Sequence, residues 1–469
     1  GRVLYPAAPA PPAPPAVPAA LADKPNLLLI VVDTLRADAL SCYGGSVEAT
    51  HICGLAEQEG TLFTGFSHAS WTKPSFASLL TSTLPSTHNT MSKTSTLPPD
   101  LVMVSEALQQ HGYATGGIVA NINLAPSFGF QQGYDEYRYL SPDYLFGAEE
   151  SSSKLIFYQI GRKVALKLKP GHRVTDYYQD ATAVTRVADD FLARHKDSRF
   201  FLLLHYMDPH DPYFPHPYTG EGIARVEADN PDPSRAAHMR ELYDGEIRFT
   251  DEHIGMVEAK LRELGIWDDT MIVITADHGE EFQEHGGWWH GTTLYEEQIH
   301  VPLLVKWPKG KVGAPARVTD HPVRHIDVAP TLLTLAGAPI PDGMQGKDLA
   351  VPMAKRSESE RMHYAEEDHE GNVLHAIRTN TWKLIEANAG NPRGLPTEEL
   401  FAIGKDPKET SNVVEGNATV AAEMRRHAEA QRQLAASQAV EGGEQAKLTK
   451  EECEKLRVLG YVQDCDSVN

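Results

Sequence analysis

Three things are scarce in this chain, and each shortage excludes something. Its 469 residues include only four cysteines, and none are spaced C-x₂₋₄-C as in a structural zinc site. They fall in two close pairs, Cys42 with Cys53 and Cys453 with Cys465. Closing such short loops as disulfides would need an oxidising compartment; four reduced thiols are the alternative. Long apolar runs are missing too. The longest purely aliphatic one is the six residues from Leu27 to Val32, against the roughly 20 that a membrane helix requires. Positive charge is outnumbered, with 43 Lys and Arg against 64 Asp and Glu and a net charge of −21. That balance repels nucleic acid and argues against a nucleic-acid partner.

What remains is globular in composition, 41% hydrophobic and 23% charged, and long enough for a large α/β domain with a smaller partner. Residue 1 is Gly rather than Met, and Tyr5 to Ala22 is almost wholly Pro and Ala. Residues 1–23 therefore read as a semi-rigid tether left after removal of a signal or anchor. The expected location is periplasmic or extracellular, with a membrane tether in the full-length precursor.

Asn26 to Val32 is nearly all apolar and ends in Asp33, the pattern of a strand buried on both faces of a parallel sheet. Phe200 to Tyr206 and Met271 to Ala276 repeat it, and segments of helical period lie between, such as Ala181 to Arg194 and Arg240 to Leu264. Alternation of this kind predicts a three-layer α/β sandwich around a largely parallel sheet over residues 24–350. Arg361 to Asn412 has shorter alternating segments broken by Asn, Gly and Pro, which predicts a small antiparallel α+β subdomain within residues 351–469. Ala418 to Val440 should be helical until Gly442 and Gly443 stop it.

Ligands in open α/β sheets bind beyond the strands' carboxyl ends. Asp33, Asp208, His210, Asp277 and His278 all fall just past such ends, and His285 and His290 follow in a Gly-rich loop. Carboxylate and imidazole together suit zinc or a similar divalent ion. In Ser70 to Thr81, Pro74 marks a first helical turn, placing Thr72 at a helix N-terminus where an anion is favoured; a plain N-cap is the alternative. The segment 153–171 carries Lys154, Arg162, Lys163, Lys167 and Lys169 with apolar residues every four positions. It reads either as a basic amphipathic helix making peripheral membrane contact or covering the site, or as an ordinary helix packed on the core.

Together these elements resemble the sulfatase family of the alkaline phosphatase superfamily. The resemblance runs through Asp33 to Asp38, the Trp71-Thr72-x-Pro74-Ser75 segment, Gly129-Phe130 with Gly133-Tyr134-Asp135, and Asp208-Pro209-His210. It continues through Asp277-His278-Gly279-Glu280, Leu294-Tyr295-Glu296 with Val301-Pro302, Asp327 with Pro330-Thr331, and Asp406-Pro407 with Glu409 and Asn412. The closing Leu456 to Val462 is also typical of bacterial members. Family sulfatases place at position 72 a Cys or Ser that is converted to formylglycine, and an Arg at position 76. Here those positions are Thr72 and Phe76, and the family's Lys and His fall on Asn121 and Asn123. The family's Asp-Asp pair is Asp33-Thr34, and its Asp-Asn pair is Asp277-His278.

These departures imply the phosphodiesterase-like members with an unmodified Thr. The expectation is a metal-dependent hydrolase of phosphate diesters or phosphonate monoesters through a phospho-threonine, acting on a small or lipid-linked ester. A sulfatase without formylglycine and a head-group phosphotransferase are the alternatives. Two divalent ions, zinc first, would be held by Asp33, Thr72, Asp277 and His278 and by Asp208, His210 and His290. One ion, calcium or manganese, is the other possibility, with His210 touching substrate only. Lys73 and Asn121 join the expected substrate contacts, with His205 and His285 as reserve ligands.

Overall fold

Apolar runs at the centre of the chain dictate the centre of the molecule. The computed structural model describes residues 17–142, 177–218, 222–225, 228–310, 317–459, 462 and 465. The basic segment 153–171 and most of the 1–23 tether lie outside the described residues. The strands are β1 (Asn26–Val32), β2 (Gly60–Phe66), β3 (Ala114–Val119), β4 (Glu136–Tyr139), β5 (Phe200–Tyr206), β6 (Thr270–Ala276), β7 (Glu281–Phe282), β8 (Trp288–Trp289), β9 (His300–Lys306), β10 (Arg317–Arg324), β11 (His363–His369), β12 (Asn372–Arg378), β13 (Lys383–Ala387) and β14 (Glu398–Phe401).

The main sheet has eight strands in the order β10-β2-β9-β6-β1-β5-β3-β4. All its pairings are parallel except those of β9 with β2 and β6. Every residue of β1, β5 and β6 is buried. Both faces of the central strands are therefore covered, which makes three layers, and each buried Leu or Ile there contributes about 1.5–3 kcal/mol. The flanking helices follow the predicted periodicity. Ala181–His195 is capped by the Asp180 side chain, which accepts from the Ala183 N–H, and buries Val184, Val187, Ala188, Phe191 and Leu192 along one stripe. The helix expected from Arg240 starts earlier, at Ala236, and runs to Glu263. Among the described residues no helix is long and apolar enough to cross a membrane.

A second, antiparallel sheet of β11-β12-β13-β14 lies in the C-terminal part. The Ala418–Ser437 helix covers it, with Ala421, Met424, Ala428 and Ala435 buried in one cluster with Tyr364, Ile377, Leu384 and Leu400. That helix ends before Val440. Edge strand β11 also grips the loop after β2. The Glu366 N–H donates to the His68 carbonyl at 2.9 Å, and His68 Nδ1 donates to the Tyr364 carbonyl at 2.6 Å. The four cysteines form the disulfides Cys42–Cys53 and Cys453–Cys465.

Candidate active site and metal centre

Register builds the centre. Parallel pairing of Val32 with Ala276 sets the ends of β1 and β6 side by side, so Asp33 and Asp277, the next residue of each, are neighbours. His278 follows, and one ligand atom from each of Asp33, Asp277 and His278 lies within 4.8 Å of the others, all fully buried. The chain leaves β1 through Thr34 in the left-handed region, φ +54°. That turn sends the Thr34 N–H to Asp277 Oδ1 at 3.2 Å and its hydroxyl to the Pro209 carbonyl at 2.8 Å. The residue standing where sulfatases have a second Asp thus braces the turn.

Thr72 is the first residue of the helix Thr72–Thr81 and is fully buried. Its Oγ1 lies 3.4 Å from His278 Nε2 and accepts from Asn121 Nδ2 at 3.3 Å. The same Asn121 amide donates to Asp33 Oδ2 at 2.9 Å, so it bridges the hydroxyl and the carboxylate. Two serines fix the helix start. The Ser75 hydroxyl bonds the Asp277 carbonyl and Ser67 Oγ, and the Ser70 N–H and hydroxyl donate to Glu367 Oε2 of β11 at 3.1 and 2.6 Å.

Histidines complete the arrangement. His205, in register with Val31 across β5 and β1, lies 3.1 Å from Asp33 Oδ2, and Phe76 packs edge-on against its ring at 5.3 Å. The ring of His290 is 4.5 Å from that of His278 and 4.9 Å from that of His210. His210 Nδ1 donates to the Asp211 carbonyl at 2.6 Å, and His290 Nδ1 donates to Glu280 Oε1 at 3.0 Å. Glu280 in turn accepts from the Tyr213 hydroxyl at 2.8 Å. Bonding through Nδ1 directs Nε2 of each ring the other way.

The electrostatics ask for a cation. Asp33 Oδ1 and Asp277 Oδ2 are buried and accept no hydrogen bond among the described residues, an expensive condition for carboxylates. Burial, then the adjacent Asp33, pushes Asp277 well above the usual carboxylate range. Burial acts the same way on Asp33, but the nearby His210 and the His205 hydrogen bond outweigh it and hold that carboxyl low. Burial pushes His278 down to about 4 and His290 well below its ordinary value, so both rings are neutral, the form that ligates metal. Two carboxylates and a neutral imidazole with orphaned lone pairs fit a divalent ion, and a bound ion would reverse the Asp277 shift.

Not every expected residue joins. The Asp208 carboxylate turns to the Ala181 N–H at 3.0 Å, the start of a neighbouring helix, where Glu246 and Asp180 face it. It is absent from the ligand cluster, so the second set of Asp208, His210 and His290 reduces to two imidazoles beside the first. Lys73 donates to the Lys93 carbonyl at 2.6 Å and stands 3.6 Å over the Phe128 ring. His285 stacks on Tyr295 at 3.7 Å and bonds Glu297 at 2.6 Å. Sequence reasoning assigned no role to Glu280, Ser70, Ser75 or Glu367. It noted Asn123 only as the place of an absent family His; the residue is 1% exposed, and its carboxamide makes no hydrogen bond among the described residues.

Known proteins resemble this chain over much of its length. The chain is 25% identical over 451 residues to the choline-sulfatase of Rhizobium meliloti, covering 84% of this chain and 83% of that one. It is 29% identical over 237 residues, 41% of this chain and 45% of the other, to the multifunctional alkaline phosphatase superfamily protein PehA of Trinickia caryophylli. The phosphonate monoester hydrolase of Agrobacterium radiobacter shares the fold, with a TM-score of 0.68 at 20% identity over 88% of this chain and 96% of that one. A family model for the N-sulphoglucosamine sulphohydrolase C-terminal region matches residues 283–435. Since the sulfatase family model matches residues 25–338, spanning the described elements from β1 to the end of the main sheet, the chain belongs to the sulfatase family of the alkaline phosphatase superfamily and is a hydrolase of that group.

Proposed function

We propose that this hydrolase cleaves monoanionic esters of a tetrahedral oxyacid, phosphonate monoesters and phosphate diesters ahead of phosphate monoesters, with the unmodified Thr72 hydroxyl as nucleophile. The observation that carries the reading is the buried Thr72 Oγ1 beside His278 Nε2 and Asn121 Nδ2, next to the Asp33–Asp277 pair. A divalent ion held there would acidify the hydroxyl and offset charge on a non-bridging oxygen. Thr72 Oγ1 gives up its proton to solvent and bonds to the central atom as the bond from that atom to the ester oxygen breaks, and the departing alkoxide takes one proton from solvent and leaves as the alcohol. Water then hydrolyses the threonyl ester and restores the hydroxyl. Asn121 holds the nucleophile in line. Where sulfatases have Arg, Lys and His, this chain has Phe76, Asn121 and Asn123, leaving few protein cations for a dianionic phosphate monoester.

The His278 nitrogen favours zinc over calcium, a cation that prefers all-oxygen ligands. The one such cluster among the described residues supports one ion per chain; two would require His210 and His290 to complete a second site. One observation favours a sulfate ester as second reading: the carboxylates gather in one cluster rather than two, and a sulfate monoester also carries a single charge. The likeness to a choline-sulfatase supports that reading equally. We further propose a periplasmic or extracellular location, which two disulfides support.

The test is turnover of nitrophenyl esters differing only in the central group by metal-replete enzyme, with elemental analysis. Thr72→Ala should lose about 10³-fold or more, Thr72→Ser should retain part, and mass spectrometry should find plain threonine at 72. Wild-type rates in the alanine variant, or a clear preference for the phosphate monoester, refute the proposal. Preference for the sulfate promotes the second reading.

A further inference from the structure

In a chain of net charge −21, two cations gather beside this site. Lys93 and Arg225 come from separate loops and meet on Glu370. Lys93 Nζ lies 2.7 Å from one carboxylate oxygen and Arg225 Nη2 3.7 Å from the other. The three side chains are 26%, 11% and 34% exposed, so the cluster opens to solvent. Asp229 also takes Arg225 Nε, at 3.1 Å, but it is 82% exposed, and such surface pairs hold weakly.

Neighbouring contacts place the cluster beside the site. His369, beside Glu370, packs on Trp71 with ring centroids 4.5 Å apart, and Trp71 precedes Thr72. A Cβ on Gly291, the residue after His290, would come within 3.0 Å of the His369 ring. On the other side the Arg225 N–H donates to Asp211 Oδ2 at 3.1 Å, and Asp211 follows His210. The cations are thus bordered by the neighbours of Thr72, His290 and His210.

The acid that joins the two cations sits on a tight turn. Glu370 (φ +53°) and Gly371 (φ +82°) form the two-residue connection between β11 and β12, with His369 paired to Asn372. Both residues are left-handed, where Asn, Asp or Gly is usual at the first position. A glutamate held in that conformation calls for a reason beyond the turn.

We propose that Lys93 and Arg225 bind a second anionic group on the substrate, a carboxylate or a sulfate-like oxyanion remote from the scissile ester, and that Glu370 holds both cations in place until that group displaces it. The inference rests on reading Thr72 as the centre of ester hydrolysis and names the substrate class for it: esters of anionic alcohols or sugars.

Calorimetric titration of the metal-replete protein with benzenesulfonate, benzene-1,4-disulfonate and 4-sulfobenzoate tests this without turnover. At least one dianion should bind about tenfold more tightly than the monoanion, as expected for one added charge-assisted contact. The better dianion tells sulfonate from carboxylate. Arg225→Gln and Lys93→Gln should each erase most of the difference, whereas Glu370→Gln should enlarge it, a change of sign that loss of structure does not produce. Equal affinity for monoanion and dianions, absence of dianion binding, or a preference that survives in the Arg225→Gln/Lys93→Gln double variant overturns the proposal. Failure of the ester-hydrolysis reading has a separate signature, the lack of Thr72-dependent turnover of nitrophenyl esters.

Discussion

Asp327→Asn removes one negative charge from a place with no water to replace it. The Asp327 carboxylate is fully buried and takes Arg324 on one oxygen and Arg356 on the other, each at 2.7 Å, with the Lys347 N–H at 2.8 Å. The two arginine side chains are 8% and 1% exposed. Burial alone would raise this acid; Arg324 and then Arg356 outweigh it and hold the carboxyl below its ordinary value. Asparagine keeps the shape and leaves two guanidinium groups buried without their counter-charge. Breaking a buried ion pair from one side costs about 3–5 kcal/mol. For a chain of this length that is roughly 3–5 °C in Tm if it unfolds as one unit. Scanning calorimetry reads the shift, and kcat/KM at 25 °C should stay within about threefold, because the triad supports the sheet edge and touches no reacting group. Adding Arg356→Met to Asp327→Asn should cost less than the sum of the two single changes. An unchanged Tm, or lost activity at an intact Tm, would refute the reasoning.

Asn121→Ala removes the donor shared by Asp33 and Thr72; with a hydrogen bond to a charged group worth about 1.5–3 kcal/mol, kcat/KM on a nitrophenyl phosphonate should fall about 10- to 100-fold. A loss under threefold would show that the bridge does not position the nucleophile. His285 is raised to about 9, since its bonds to Glu297 and to the Glu409 carbonyl outweigh burial. A raised base stabilises the fold fully below its unfolded pKa of about 6.5 and loses that contribution as pH rises through the folded value, so a term on the order of 3 kcal/mol should fade between about pH 6.5 and 9. Denaturant titrations of wild type and Glu297→Gln should converge at high pH; a gap that persists there would contradict the pairing.

Much of the centre was legible because each key residue ends an apolar run. Asp33, Asp277 and His278 follow strands whose burial on both faces was written in their composition, and parallel strands deliver their ends to one edge. Pro74 marked the helix start that holds Thr72. Lys73 leaves the helix about 100° from Thr72, and its Nζ meets the Lys93 carbonyl and the Phe128 ring. Asp208 stands apart from the cluster for another reason, one oxygen bonded to a helix N–H and the other without a hydrogen bond among the described residues. In a turn such as Asp208-Pro209-His210, direction depends on what packs nearby, and the free N–H of Ala181 claimed the carboxylate. Glu280 and Glu281 look alike in sequence, yet Glu280 backs His290 while Glu281 pairs with Arg393 at 2.7 Å. Only the fold separates them.

The grip of β11 on the loop before Thr72 bears on the order of assembly. Ser70 rests on Glu367, 297 positions later, and His68 on Tyr364, 296 positions later. Contacts of such separation form late, and domains are generally made from the N-terminus onward. A nascent chain can complete β1 through β9 and still lack the wall against which Thr72 is set. The setting of Thr72 is thus complete only once β11 has docked, which ties an early segment of the chain to one made much later.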